Sequence, residues 1–282
     1  MAPDLVVVGH VTKDLVEGGV RAGGTATYAC LTAAKLGLTV ALLTSASPDL
    51  DISPLCENIE IELVPSPVTT VFENIYTPVG RDQYIRSAAS SLEPSHIPLS
   101  WLNAPLVLLG PVAGEVEPKM IQAFHQAVVG ISAQGWMRRW GEDGRVYPTP
   151  WQEAPLFLSS IDVLFFSHED ASGDEALIEG YAAQVPLLVV TQGDRGARVH
   201  WRGSWNDSPA FPAKVTDITG AGDVFAAAYL IHYYEHKDPL EAACFANCAA
   251  SLAVEGQGVE GIPTRKQIEE RMGEKGLNPN LL

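Results

Sequence analysis

The chain has 282 residues, 46% of them hydrophobic, enough for one large α/β domain with a full core. Its 34 acidic residues outnumber 18 basic ones, a formal net charge of −16, which argues against nucleic acid or an anionic membrane as the main partner but leaves room for a locally cationic site that takes a phosphorylated ligand. No apolar run reaches membrane-spanning length, the N-terminus carries no basic leader, and Cys30, Cys56, Cys244 and Cys248 lack disulfide-framework spacing, so a cytoplasmic protein with reduced thiols is expected.

Residues 5–9 form a continuous apolar run, the pattern of a strand buried on both faces. Residues 10–21 are polar and Gly-bearing and read as a loop; Gly23-Gly24-Thr25 then opens a helix to about Leu36, stopped by Gly37, and 40–44 is a second buried strand. This strand–helix–strand start predicts a parallel sheet. Residues 59–89 differ: short, partly alternating segments separated by Pro and Gly predict exposed or edge strands, a small β-flap inserted in a single domain spanning 1–282. From Leu106 the α/β rhythm returns, with strands at 106–110, 130–134, 162–166 and 187–191 and helices at 117–129 and 169–183. Residues 197–201 and the stretch around Ser204 predict a short antiparallel pair. Two helices, from Ala221 to about Glu235 and from Pro239 to Val254, close the chain, with a loosely held tail at 273–282.

The stretch with most chemical content is Asp217-Ile218-Thr219-Gly220-Ala221-Gly222-Asp223 with the apolar run behind it. Small residues at a turn leading into a helix leave backbone N–H groups pointing outward, an anion site reinforced by the helix dipole. A carboxylate in such a place would repel the anion. Asp223 is therefore either a first-turn dipole partner or a base working beside a phosphoryl group. Three other patterns mislead. Gly256-Gln257-Gly258-Val259-Glu260-Gly261 spells a dinucleotide fingerprint but follows a helix and leads into Pro263, where the fingerprint must follow a strand and open a helix. His232-Tyr233-Tyr234-Glu235-His236 spells a zinc-protease motif without a third ligand and reads as a polar helix end. Cys244 and Cys248, one turn apart among Ala and Phe, read as buried structural cysteines.

The motif at 217–223, Gly23-Gly24 after the first strand, Leu109-Gly110-Pro111-Val112-Ala113-Gly114-Glu115 and Thr191-Gln192-Gly193-Asp194-Arg195-Gly196 occur in this order in one chain. The constellation resembles the PfkB, or ribokinase-like, carbohydrate kinase family over essentially the whole length. The resemblance implies a central, mainly parallel sheet flanked by helices with a β-lid, and transfer of the ATP γ-phosphoryl group to a hydroxyl of a sugar, cyclitol or nucleoside. It implies Asp223 as base, with Gly220, Ala221 and Gly222 as the anion hole. It implies acceptor contacts from Asp14, Gly23, Gly24, Thr25, Tyr28 and Arg138, and nucleotide contacts from Ser167, Thr191, Gly193, Gly196, Asn247, Ala250 and Ser251. Mg²⁺ would be arranged by Asp170 of Ser167-His168-Glu169-Asp170, where the family has Asn-x-x-Glu, with Glu169 as substitute. Gly256 to Gly261 would line the nucleotide pocket, Trp136 would floor the cavity or pack, and a homodimer would form through the lid. Tyr28 stands where the family usually has Asn, the loop at 14–23 is short, and these departures resemble the branch that includes plant myo-inositol kinases. The alternatives are a non-catalytic ligand sensor on the same fold and a nicotinamide-dependent oxidoreductase, the latter weakened by the misplaced fingerprint.

Overall fold

The computed structural model describes residues 2–16, 19–52, 55, 59–77 and 80–274. The predicted tail beyond residue 274, Cys56 and short parts of the predicted loop and flap lie outside them. Apolar runs form the parallel strands β1 (Leu5–Val8), β4 (Val40–Ala46), β8 (Leu106–Leu109), β9 (Val128–Ser132), β12 (Val163–Ser167) and β13 (Leu187–Thr191). With β5 (Ile59–Pro65) at one edge and the antiparallel β14 (Ala197–Trp201) and β15 (Ser204–Ser208) at the other, they make a nine-stranded sheet in the order β15-β14-β13-β12-β9-β8-β1-β4-β5. Alternate residues of each strand feed two cores. Leu5, Val7, Leu42, Leu108 and Phe165 face one, under α1 (Thr25–Lys35) and the C-terminal helices; Val6, Val8, Leu43, Leu109 and Phe166 face the other, with Trp101, Phe124 and Trp151.

Two expectations about the lid are corrected. The predicted loop at 10–21 instead carries β2 (Thr12–Val16) and β3 (Gly19–Gly23), paired antiparallel. The predicted flap at 59–89 divides: β5 joins the main sheet beside β4, and only β6 (Thr70–Thr77) and β7 (Gly80–Ser87) join β2 and β3, in a four-stranded lid ordered β3-β2-β6-β7. The alternation of Ile59, Glu60, Ile61 and Glu62 marks an edge strand, as expected, but of the larger sheet. His10, fully buried, fixes the lid's root: the Ser90 carbonyl can only accept, so Nε2 donates to it (2.9 Å) and Nδ1 faces the Thr70 hydroxyl (2.7 Å).

The helix predicted at 117–129 is a 3₁₀ stretch at Pro118–Ala123, followed after a turn at 124–127 by β9. The one predicted from 169 starts later, as α3 (Glu175–Ala182), because Asp174 caps the N–H groups of Ala176 and Leu177 after a turn at the end of β12; a one-turn α2 (Ala154–Phe157) precedes it. The hairpin β10 (Arg138–Trp140) and β11 (Val146–Pro148) was not foreseen; it leans on the lid through the Arg145–Asp82 ion pair (2.7 Å) and an Ile85 N–H donating to the Gly144 carbonyl (2.8 Å). The closing helices are α4 (Ala221–His236) and α5 (Pro239–Ala253), followed by an unexpected α6 (Arg265–Glu274) that buries Ile268 and Met272 against them.

His232 is not part of a polar helix end. It is 3% exposed, stacked between His236 and Phe245, with Nε2 3.3 Å from Glu241. Ligand atoms of His232, Glu235 and His236 gather within 4.8 Å, but Arg265 holds Glu235 through both carboxylate oxygens, at 2.7 and 2.9 Å. Cys248 is buried as expected, whereas Cys244 is half-buried; both are free thiols. Among the described residues no helix is long and apolar enough to cross a membrane.

The join between α4 and α5 rests on Asp238, whose side chain accepts from the Leu240 and Glu241 N–H groups at 2.8 and 3.0 Å. Asp238→Ala is expected to destabilise the protein by about 1 kcal/mol, read as a lower denaturation midpoint at unchanged slope.

Candidate active site

A cavity of about 760 Å³ opens along the C-terminal ends of the parallel strands, beneath the lid. Ligands of open α/β sheets bind at this edge, because loops and helix N-termini converge there. Thr12, Asp14, Thr25, Arg138, Thr191 and Asp223 all reach it, from elements far apart in the chain.

Asp223 occupies the first turn of α4, behind Gly220, which adopts a left-handed conformation (φ +75°) as the helix cap. A β-carbon at Gly220 would overlap the ring of Tyr28, so the turn requires glycine for both backbone and space. Burial pushes the Asp223 carboxyl up to about 6; Asp14 and Asp170 add to the rise, while a Thr25 hydroxyl donating at 2.7 Å and the Arg138 guanidinium oppose it. Thr25, expected to touch the acceptor, is thus a partner of Asp223. The N–H of Ala221 donates to Ile218 (3.3 Å) and that of Asp223 to Gly220 (3.0 Å), closing the turn. Asp217 accepts from the N–H groups of Thr219 (3.0 Å) and Gly258 (3.2 Å) and pairs with Arg21 of β3 (3.1 Å). Burial works against its ionisation, but these contacts prevail and hold its carboxyl below the usual range.

On the lid side, Asp14 accepts from the Thr12 hydroxyl (2.9 Å), and a side chain at Gly23 would overlap the Asp14 carboxylate across the β2–β3 pair. Gly23 therefore makes room for Asp14, and Gly24 (φ +86°) turns the chain into α1. Tyr28 is 3% exposed, its ring spanning from Gly220 toward Gly258; burial first, then Asp223, Asp217 and Asp14, push its hydroxyl well above the usual range. Asn74 and Gln83 of the lid, Phe72 and Gln134 also line the cavity, and the sequence reading gave them no role as acceptor contacts. Glu115, buried, accepts from the N–H groups of His10 (3.1 Å), Val112 and Ala113 (2.7 Å), which locks the loop after β8 to the loop after β1.

At the other end, Ser167, Thr191, Gly193, Asn247, Ala250 and Ser251 line the cavity as expected. Gly196 lies behind it, pressed against the end of β15, where any side chain would overlap the Ser208 carbonyl. Asn247 ties α5 to that strand through bonds to the Ser208 carbonyl and hydroxyl, both 2.9 Å. Phe211, Pro212, Ala213, Val215 and Val254 complete an apolar slot that sequence reading missed, since an irregular segment carries no periodic signal. One expectation fails, and one alternative is decided. Gly256 to Gly261 do not line the cavity; they make a tight turn in which Gly258 holds Asp217. Trp136 packs rather than floors, stacked on Trp151 at 4.5 Å and donating to the Val116 carbonyl.

The residues proposed for Mg²⁺ are differently placed. Asp170 is bound into its own turn by the Ser167 N–H (2.9 Å) and hydroxyl (2.7 Å), with Gln134 at 3.3 Å, while Glu169 lines the cavity directly. Among the described residues, acids around the cavity do not gather three ligand atoms.

Comparison with known proteins agrees with this architecture. Residues 138–265 match the model of the pfkB family carbohydrate kinases. The ribokinase of Bacillus subtilis is 41% identical over 93 residues, which are 33% of this chain and 32% of that protein, so the match spans about a third of the relative. The cytidine kinase of Thermococcus kodakarensis is 27% identical over 269 residues, covering 84% of this chain and 91% of that one. A solved pyrophosphate-dependent kinase of the ribokinase family, complexed with a pyrophosphate analogue and myo-inositol, superposes with a TM-score of 0.80 at 23% identity, over 95% of this chain and 99% of that one. The chain is thus similar to pfkB carbohydrate kinases over the segment 138–265 and to ribokinase-family relatives in sequence, and it shares its whole-chain fold with the solved kinase.

Proposed function

We propose that the protein is a kinase that transfers the terminal phosphoryl group of ATP to a hydroxyl of a small polyhydroxylated acceptor, with Asp223 as base. The observation that carries the reading is the Asp223 carboxyl itself: buried at the start of a helix, pushed up to about 6, and poised between the Asp14 end and the apolar-slot end of one cavity. The acceptor would lie against Asp14 and the donor along Thr191, Gly193 and Asn247. Asp223 takes the proton of the acceptor hydroxyl as that oxygen bonds to the terminal phosphorus, and ADP leaves with the electrons of the broken P–O bond. The Gly220–Gly222 turn and Arg138 would stabilise the negative charge on the transferring group. Mg²⁺, when bound, neutralises phosphate charge; Glu169 would hold its water and Asp170 would shape the turn that presents Glu169. The apolar slot formed by Phe211, Val215, Ala250 and Val254 fits a nucleobase and supports ATP over the pyrophosphate used by the solved relative.

Asp223→Asn is expected to lower kcat by about 10³-fold at unchanged fold, measured as ADP release with a sugar, cyclitol and nucleoside panel. Turnover that survives this substitution would overturn the base assignment, and a wild type that binds acceptors but turns none over would be the non-catalytic sensor. Because Asp223 works ionised, kcat/KM should fall as pH drops through about 6 and level off above 7. Thr25→Val removes a bond that favours the ionised carboxylate, so the acid limb should move to higher pH. Ala250→Trp fills the slot and should raise KM for ATP about 10-fold or more; turnover of the wild type with pyrophosphate and none with ATP would overturn the donor assignment.

A further inference from the structure

We propose that His232, His236 and Glu235, in the last turns of α4, hold one divalent metal ion of borderline softness such as Zn²⁺. The inference is independent of the kinase reading. Asp223 stands in the first turn of the same helix, about 14 Å from His232 along its axis at a rise of about 1.5 Å per residue.

The first observation is unmet hydrogen-bonding capacity. His232 is 3% exposed, yet among the described residues neither of its ring nitrogens has a hydrogen-bond partner, and nor has the buried Oε1 of Glu241. His232 Nε2 stands 3.3 Å from that oxygen, out of line for a hydrogen bond. Buried polar atoms are almost always satisfied, and three unsatisfied together mark a place where water or an ion belongs. A neutral imidazole carries one N–H and one lone pair. A small turn of the ring gives the N–H to Glu241, the way a carboxylate commonly orients a metal-binding histidine. The lone pair on the other nitrogen is then left without a donor. His236 and Phe245 cover the two faces of the ring, with centroids 4.2 and 4.4 Å away, and offer it no N–H.

The second observation is the ligand set. His232 and His236 are one helical turn apart and therefore share a face. Ligand atoms of both, and of Glu235, lie within 4.8 Å of one another. Tetrahedral bonds of about 2.1 Å put ligand atoms about 3.4 Å apart, so the set has to contract by about 1 Å. His236 is the group able to move, because its side chain is 43% exposed while His232 is fixed by its packing. Two imidazoles and a carboxylate suit Zn²⁺ and are too rich in nitrogen for Mg²⁺. No other three His, Cys, Asp or Glu among the described residues gather in this way.

The third observation is how Glu235 is held. Arg265, at the start of α6, donates to both its oxygens at 2.7 and 2.9 Å, and its own Nε donates to the Leu36 carbonyl at 3.2 Å. This clamp orients the carboxylate beside the histidines without exhausting it. A carboxylate offers about four lone-pair sites, and Arg265 takes two. Arg265 balances the charge of Glu235, which leaves Glu241 and the carbonyl end of α4 to favour a cation. An ion placed here would join α4 to α5 through Glu241 and to α6 through Arg265.

The test is calorimetric titration of the full chain with Zn²⁺, after chelator treatment and dialysis, in buffer containing Mg²⁺. One Zn²⁺ per chain should bind with a Kd on the order of 1 μM or tighter. His236→Ala should weaken binding about 100-fold and Glu235→Gln about 10-fold. Both side chains are exposed, and unchanged circular dichroism would show that the variants are folded. Saturating Zn²⁺ should raise the thermal midpoint of the wild type by about 4 °C and leave that of His236→Ala unmoved. Asp223→Asn should bind Zn²⁺ as the wild type does, which separates this site from the cavity. Absence of binding at this affinity, displacement by Mg²⁺, or equal binding in either α4 variant overturns the inference while the kinase reading stands. Loss of binding in Asp223→Asn would put the ion in the cavity and overturn it as well.

Discussion

Burying a carboxylate between two others is unfavourable, and the Asp223 site is built around offsetting that cost. The Thr25 hydroxyl donates to it at 2.7 Å, Arg138 supplies positive charge, and the first turn of α4 lends the positive end of its dipole. Burial and the neighbouring acids still outweigh them and hold the carboxyl near 6 rather than at its ordinary value, ionised at neutral pH but basic enough to take a proton. Thr25 can reach it because β8 is followed by Gly110, where any side chain would overlap the threonine methyl. The Leu109-Gly110-Pro111 turn and Asp223, about a hundred residues apart in the chain, are thereby parts of one contact.

Much of this was readable from residues alone. The apolar runs at 5–8, 40–46 and 187–191 are buried on both faces and announce a parallel sheet, and the Gly220-Ala221-Gly222-Asp223 turn announces a helix start with an acid inside it. The lid was legible only in part. Thr12, Lys13 and Asp14 are polar and give no strand signal of their own; besides the hairpin partner β3 they pair with β6, and that second pairing is a long-range fact. The helix expected after Glu117 has the same character, since a turn at 124–127 and the return to β9 leave space for a 3₁₀ stretch only.

Site residues divide along a similar line. Those whose role depends on backbone shape, such as Gly23, Gly193 and Gly220, sit where glycine spacing suggests. Those whose role depends on what packs nearby do not follow from their letters. Trp136 stacks on Trp151, Gly258 anchors Asp217, and Asp170 closes on Ser167 instead of opening to the cavity. The apolar slot comes from an irregular segment joined to the inner face of α5, a juxtaposition that exists only after folding.

Helix α4 is also a structural rod. Ala226, Ala227 and Ala228 are fully or almost fully buried, which lets it lie close on the sheet, and Leu230 sits so near Gly130 of β9 that a single added methyl there would press on it. A rod set against a sheet on so small a clearance transmits displacement along its axis instead of absorbing it. The carboxylate at its tip is therefore aimed by alanine methyls about one turn away that never meet a ligand, so a larger side chain at those positions would disturb chemistry as well as packing.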